Sequence, residues 1–519
     1  MNFKIIEKTS RSITAELMNQ DIYYAKEKYN IYLNNECVVK DEARNVFSVY
    51  NLEPNTNYEL AIGNDKEIFA KQEVVTDKEF VRLNVKDFGA VGDGVAEDTS
   101  MIQATILACP DGGCVYIPAG TYLTAPLFLK SHITIELDEN ATLLGITDRS
   151  KYPILPGYTT TTDETDEYYL GTWEGNPLTS MASLITGINV EDIKIIGKGT
   201  LDGNGQNGDW WIDVKNKKRA WRPRTVFLCN CKEVVIQGLK VQNSPSWTIH
   251  PYFSENIKFL DMDIENPYNS HNTDGIDPES CKNVDIIGVK ISVGDDCIAI
   301  KSGKLFMGKK FKKPSEDFTI RNCIMEKGHG SVVVGSEIAG GVRNINVSQC
   351  LFRETDRGLR IKTRRGRGKD SILDQINFSN IEMDGVMTPF VINMYYYCDP
   401  DGKSEYVYSK EALTVDEMTP CIKRLTFTDI TCHNSEVAAT FFYGLPESPI
   451  QEVKLENIIF DFKEDAQAGV PAMMSFLEPV SKMGIFARYI NKLTLDNVKV
   501  IGYEGKEKDI EAVENFIEK

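Results

Sequence analysis

The feature that most constrains this chain is a repeated phrase: a polar or small residue followed by a short run of alternating apolar and polar residues. It occurs as Asp192-Ile-Lys-Ile, Glu233-Val-Val-Ile, Asn256-Ile-Lys-Phe, Asn283-Val-Asp-Ile, Asp317-Phe-Thr-Ile, Asn344-Ile-Asn-Val, Gln375-Ile-Asn-Phe, Arg424-Leu-Thr-Phe, Glu452-Val-Lys-Leu and Lys492-Leu-Thr-Leu. Counted between first apolar residues, the spacings are 41, 23, 27, 34, 27, 31, 49, 28 and 40. Such alternation marks half-buried strands. A shortest spacing near 23 with irregular excess marks one coil of a solenoid carrying insertions. A propeller would need steadier periods of about 40 residues and a blade signature. The expected fold is therefore all-β, a parallel β-helix whose strands rise about 4.8 Å per coil. Val115-Tyr-Ile-Pro118 and Ile133-Thr-Ile-Glu-Leu137 extend it back to about residue 110.

The first eighty residues lack the phrase. Short alternating strands such as Tyr29–Leu33 and Val46–Tyr50 are separated by Asn, Asp and Gly. Leu52-Glu-Pro-Asn-Thr-Asn-Tyr58 resembles the tyrosine-corner segment of fibronectin type III domains, where a Tyr near a strand start bonds back to the backbone. Residues 1–79 are expected to form a small fibronectin type III-like β-sandwich, and 80–519 the β-helix. The sandwich is expected to close one end of a groove, present the protein to a partner, or cover an apolar surface. Ser100–Cys109, after a Gly-rich stretch with neither GxxxxGK[ST] nor GxGxxG, reads as a capping helix rather than a phosphate loop.

With 58 Lys and Arg against 76 Asp and Glu, the net charge is −18, which disfavours a nucleic-acid partner held by bulk positive charge. An acidic ligand must then meet cations gathered locally. No apolar leader and no 18-residue uncharged apolar run is present, so no membrane partner is expected. The chain as it stands is expected in the cytoplasm, or outside the cell if a leader has been removed. Twelve cysteines include no CxxC pair and no zinc spacing. They are expected to be reduced core thiols, with Cys229 and Cys231 on one strand face.

Stacking makes residues one coil apart into neighbours, so a site should show as unusual polar residues at coil-equivalent places. His271-Asn-Thr-Asp-Gly-Ile-Asp277, Gly294-Asp-Asp-Cys297, Gly328-His-Gly330 and Arg357-Gly-Leu-Arg-Ile-Lys362 follow four consecutive repeat strands. Asp274 and Asp295 are 21 residues apart, Asp295 and His329 34, and His329 and Arg360 31. Asp274, Asp295 and Asp296 on adjacent coils would repel one another, so at least one should keep its proton near neutral pH. That is the state of a general acid, and its partners can act as bases toward water. The blander reading, that Asp-Gly pairs merely make turns, suits Asp202-Gly203 better. His329 between glycines suits close approach of a ligand. Asp277 and His271 carry weaker signals, and His132, His250 and His433 read as structural. From Arg357 to Lys369 there are seven cations in thirteen residues. Arg360 and Lys362 alternate onto one strand face beside the acids, and Gly366 and Gly368 let the following loop fold over them. Paired cations beside acid catalysts suit a carboxylate-bearing sugar such as a uronic acid.

Residues 82 to 510 resemble glycoside hydrolase family 28, the polygalacturonase family. Asn272-Thr-Asp-Gly275, Gly294-Asp-Asp296, Gly328-His-Gly330 and Arg360-Ile-Lys362 stand in the family's order, preceded by Gly199-Thr-Leu-Asp-Gly-Asn-Gly205 and Trp210-Trp211. The resemblance implies a right-handed parallel β-helix and hydrolysis of α-1,4-galacturonosidic bonds with inversion, without a metal or other cofactor. It implies Asp295 as general acid, Asp274 and Asp296 as the residues that activate water, and His329 as the residue that tunes the acid. Arg360, Lys362 and Asn272 would hold the galacturonate substrate, with Tyr396 matching a tyrosine of the following coil. Arg364 and Arg365 are expected to add contacts.

Tyr152–Tyr158 and Tyr168–Trp173, in a long polar and aromatic insertion, are expected to wall off one end of the cleft. With the cations from Arg364 to Lys369 this favours exo attack from the non-reducing end, releasing mono- or digalacturonate. An endo enzyme or a rhamnogalacturonan hydrolase of the same family stays open. A pectate lyase would instead want calcium and an Arg base, and a non-catalytic carbohydrate-binding β-helix would not need coil-equivalent carboxylates.

Overall fold

The computed structural model describes all residues, Met1–Lys519. From Arg82 onward the chain winds as a parallel β-helix with three stacks of strands. The first stack contains the repeated phrase. Its register puts Ile193, Val234, Ile257, Val284, Phe318, Ile345, Ile376, Leu425, Val453 and Leu493 in one column, each paired with the next. These are the ten first apolar residues of the repeats. All ten point into a single core of 90 buried residues that runs the length of the helix.

The polar lead-in has a backbone cause. Asp192, Glu233, Asn256, Asn283, Asp317, Asn344 and Gln375 all have φ between 51° and 63°, a left-handed turn in which short polar side chains are tolerated better than β-branched ones. Their side chains then join between coils: Asn256 donates to Glu233 at 2.6 Å, Asn283 to Asn256 at 2.7 Å and Asn344 to Asp317 at 2.7 Å. The second stack contains short strands such as Lys240–Gln242, Asp263–Glu265 and Lys290–Ser292. The third runs through Val226–Cys229, Ile249–Tyr252, Asp296–Ile300, Gly330–Gly335, Arg357–Lys362 and Thr388–Asn393. Helix Thr99–Ala108 buries Ile102 and Ile106 in the same core and covers the first coil. No helix is long and apolar enough to cross a membrane.

All twelve cysteines are free and nine are buried. Cys229 and Cys231 do not share a face. Asn230 turns the chain between them with φ 52°, so Cys231 joins the main core while Cys229 packs outside it with Phe227 and Tyr252.

Residues 3–75 form two antiparallel sheets of three and four strands around their own core of 12 buried residues. The Tyr58 hydroxyl accepts from the Glu53 backbone N–H at 2.8 Å, the back-bond expected of the Leu52–Tyr58 segment. This sandwich does not close an end of the groove. It lies along the outer side of the first two stacks, where Val46 meets Val235, Leu260 and Ile287, and Tyr23 meets Ile324 and Leu351. Arg321 is held by Glu16 at 2.5 and 2.9 Å, Arg44 pairs with Asp261 at 2.5 Å, and Ser12 donates to Gln237 at 2.7 Å. At Gly238 a Cβ would fall 2.0 Å from the Tyr50 hydroxyl, so the coil needs a glycine where the sandwich presses closest. Of the three expected roles, covering an apolar surface fits this contact.

Val46→Asp would place a carboxylate among Val235, Leu260 and Ile287, at a cost on the order of 3 kcal/mol. The sandwich is expected to undock while both cores persist, seen as faster proteolysis near residues 76–81 with the main melting transition retained. An unchanged proteolysis rate would mean that the polar pairs alone hold the interface.

Candidate active site

The outer face of the third stack contains the unusual residues. Along its strands the inward positions are apolar, as with Ile298 and Ile300, Val332 and Val334, Leu359 and Ile361. Outward positions are therefore free for chemistry. Register aligns Val333 with Arg360 and Gly335 with Lys362, and Asp296 with Gly330. Because Gly330 has no side chain, the next coil can reach down across it: a Cβ there would lie 3.3 Å from Asp296 Oδ1 and 3.6 Å from Arg360 Cδ. Arg360 thus donates to Asp296 Oδ1 at 3.2 Å and Lys362 to Oδ2 at 2.7 Å.

Asp274, Asp295 and Asp296 present carboxylate oxygens that all lie within 4.8 Å of one another. That is close enough to share one cation, and Lys362 and Arg360 already supply positive charge to Asp296. The three acids differ electrostatically. Burial raises Asp274 well above the usual carboxylate range, and the charges of Asp277 and Asp295 raise it further. Burial and the neighbouring Asp296 raise Asp295. Burial would also raise Asp296, but Lys362 and Arg360 outweigh it and hold the group far below its ordinary value. One carboxylate is thus locked ionised beside two that favour their protons.

His329 donates its backbone N–H to the Asp295 carbonyl at 2.9 Å, and its Nδ1 lies 2.8 Å from Asp356 Oδ2. The Asp356 bond raises its pKa, against burial and with help from Asp295. Asn272 turns with φ 57° and accepts from Arg222 at 2.6 Å. Tyr396 is tied by its N–H to the Thr363 carbonyl at 3.1 Å, with Lys362 Nζ 5.8 Å from its ring. Asn272, Asp274, Asp295, Asp296, Lys362 and Tyr396 line one cavity of about 220 Å³.

Two sequence expectations fail here. Arg364 is not free for a ligand, since its guanidinium is spent on Asp399 at 3.1 Å and on Asp401 at 2.6 and 3.1 Å. Arg365 is a structural staple. Its nitrogens are taken by Glu447 at 2.6 and 2.9 Å and by the carbonyls of Tyr406, Ser409 and Glu411. Arg367 and Lys369 pair with Asp399 and Glu417, so the loop brings no surplus charge. His271 is exposed and outside the cavity lining.

The sequence reading missed Lys301, Glu337, Trp247, Glu174 and Asp399, all in the cavity lining. Lys301 Nζ lies 3.4 Å from both Asp277 and Glu337 and 4.6 Å from the Trp247 ring centroid. Asp277 stands behind Asp274, raised by burial to about 7 against the pull of Lys301. Glu337, which burial would raise, is drawn down to about 2 by Lys301 and Lys304. Lys301 could have been found: it follows strand Asp296–Ile300, one step past the Ile300–Val334 pair, in the outward column of Gly335 and Lys362. The insertion does reach the cavity. Trp173 stacks on Trp221 with centroids 4.8 Å apart and planes 5° apart, and the next residue, Glu174, enters the lining.

The family model described as "Glycosyl hydrolases family 28" matches residues 129–471, and "Rhamnogalacturonase A/epimerase, pectate lyase-like" matches residues 82–145. A probable polygalacturonase of Vitis vinifera is 31% identical over 406 residues, 76% of this chain and 77% of that protein. An exo-poly-alpha-D-galacturonosidase of Dickeya chrysanthemi is 27% identical over 407 residues, 69% of this chain and 64% of that protein. An endo-polygalacturonase of Pectobacterium carotovorum subsp. carotovorum is 28% identical over 354 residues, 65% of this chain and 78% of that protein. Among solved structures, a family 28 exopolygalacturonase of Yersinia enterocolitica superposes with a TM-score of 0.73 at 19% identity, covering 99% of this chain and 98% of that one.

The raised Asp274 has a consequence for stability. In the unfolded chain an aspartate titrates near 3.9. With the folded value above that, the stability Asp274 contributes is complete below about pH 4 and is lost as pH rises through the folded value. Asp274→Asn is expected to melt higher than the parent at pH 7, with the difference closing toward pH 4. Lower melting at pH 7 would mean that the fold holds this carboxylate ionised.

Proposed function

The chain belongs to glycosyl hydrolase family 28, and on that premise we propose that it is an exo-acting polygalacturonase that removes mono- or digalacturonate from the non-reducing end of oligogalacturonates, with inversion. The observation that carries the catalytic assignment is the split among three adjacent acids. Asp295, raised by burial and by Asp296, keeps a proton to give to the leaving oxygen. Asp296, held ionised by Lys362 and Arg360, takes the proton of the attacking water. Asp274, whose raised affinity for a proton makes its ionised form the stronger base of the two, activates that water with it. His329, whose affinity for a proton is raised by its bond to Asp356 and by the nearby Asp295, eases the charge left on Asp295 after proton transfer. Arg360 and Lys362 bind the galacturonate carboxylate, and Asn272 and Tyr396 complete the walls.

Inversion rests on family membership rather than spacing, since the oxygens lie within 4.8 Å of one another and most inverting pairs are about 6.5–9.5 Å apart. Exo attack is supported by the wall that the insertion builds at Trp173 and Glu174. The full-length likeness to an exopolygalacturonase fold is consistent with it. The cation-rich loop no longer contributes to that argument.

Early digestion of long polygalacturonate is expected to release mono- or digalacturonate with little fall in viscosity, and the first product is expected to be the β-anomer by proton NMR. A rapid viscosity drop with a ladder of intermediate oligomers would assign endo attack, the mode of the Pectobacterium relative. Asp295→Asn should keep the fold and lower turnover by about 10² to 10⁴, because an amide cannot donate the leaving-group proton. Parent-like turnover in that variant would remove Asp295 from the role.

A further inference from the structure

Loop 464–482 stands beside the cavity on its C-terminal side and is tied down at several points. Asn393 donates to the Met473 carbonyl at 3.0 Å, Met474 bridges Tyr396, and Arg357 donates to the carbonyls of Val470 at 2.6 Å and Pro471 at 3.0 Å. Two residues beyond the buried Met474 comes Phe476, whose side chain is 82% exposed. Its backbone has φ 63°, a conformation disfavoured for a bulky residue. Its ring meets Tyr408 edge-on, with centroids 5.1 Å apart and planes at 84°. A large ring exposed to water on a strained backbone is doubly unfavourable for folding, and nothing in the core needs it there.

Its position suggests a use. The insertion contributes Glu174 to the cavity wall beside Lys304, and stacks Trp173 on Trp221 and Trp247 from the coils N-terminal to the acids. With the tryptophans on that side, a chain whose end sugar occupies the cavity would continue past Tyr396 toward the C-terminal coils. Phe476 is on that side, two residues of chain, at most about 7 Å, from Met474, which bridges Tyr396. The C–H face of a pyranose lies flat on an aromatic ring, the apolar side of an otherwise polar ligand. A carboxylate at the sugar's edge could meet Arg357, whose guanidinium donates to the carbonyls of Asp356, Val470 and Pro471 and keeps two N–H groups unpaired.

We propose that Phe476, braced by Tyr408, is a stacking platform for a sugar on the leaving-group side of the cut bond, beyond the one that meets Tyr396, and that it gives the enzyme a preference for longer galacturonate chains. This rests on the polygalacturonase reading above.

Phe476→Ala is expected to lower kcat/KM on hexagalacturonate about 5- to 20-fold through KM, to leave the shortest galacturonate that the parent cleaves unchanged, and to be rescued by Phe476→Trp. An equal loss on both lengths, or no loss on hexagalacturonate, would overturn the platform. Calorimetric binding of hexagalacturonate to Asp295→Asn, with and without Phe476→Ala, separates this from the reaction itself. Weaker binding only when Phe476 is removed supports the platform even if the parent cleaves no galacturonate bond, and equal binding refutes it.

Discussion

Everything in the β-helix of this protein depends on in-register parallel pairing from coil to coil. Each strand hydrogen-bonds the one below with no slip in the central coils, so a side chain's neighbour is the residue one coil away in sequence, not the next residue along the chain. A one-residue slip would turn every outward residue inward. Arg360 would then face the core, where Leu359 and Ile361 now lie, and Asp296 would lose both cations. The geometry of the candidate site is thus a property of the register, and the register is fixed by the continuous apolar column on the inside.

That dependence explains what could be read from sequence. The ten strand starts were legible because each joins an apolar alternation to a left-handed polar turn, and both leave local marks. Asp274, Asp295, Asp296, His329, Arg360 and Lys362 were legible because coil-equivalent spacing places them on one face. Arg364 and Arg365 were misread for the complementary reason. Their partners Asp399, Asp401 and Glu447 come from loops 35, 37 and 82 residues away, outside any repeat, so nothing near the arginines announces that their charge is spoken for. Glu174 was hidden in the same way by the insertion. Lys301 sat in a readable position, but a lysine directly after a buried strand looks like an ordinary strand end.

The electrostatics of the cavity follow from where cations can be delivered. Arg360 and Lys362 arrive from the coils above and bond Asp296 directly, with Asp295 feeling their charge at longer range. Lys301 enters from the opposite side and is divided between Asp277 and Glu337. Three acids of the same type therefore settle at different affinities for a proton, because only Asp296 is bonded directly by two cations.

The lateral sandwich acquires another meaning in this light. In a solenoid each coil touches only its two neighbours, so nothing in the helix alone prevents one coil from loosening against the next. The sandwich touches Gln237, Asp261, Ile287, Arg321, Gln349 and Asn380, which lie on six successive coils. The carboxylates, His329 and Arg360 lie on the same stretch, on the far side of the cylinder. The sandwich thus acts as a splint that converts nearest-neighbour coupling into coupling across several turns, and it braces the stretch that brings the three aspartates and their cations together.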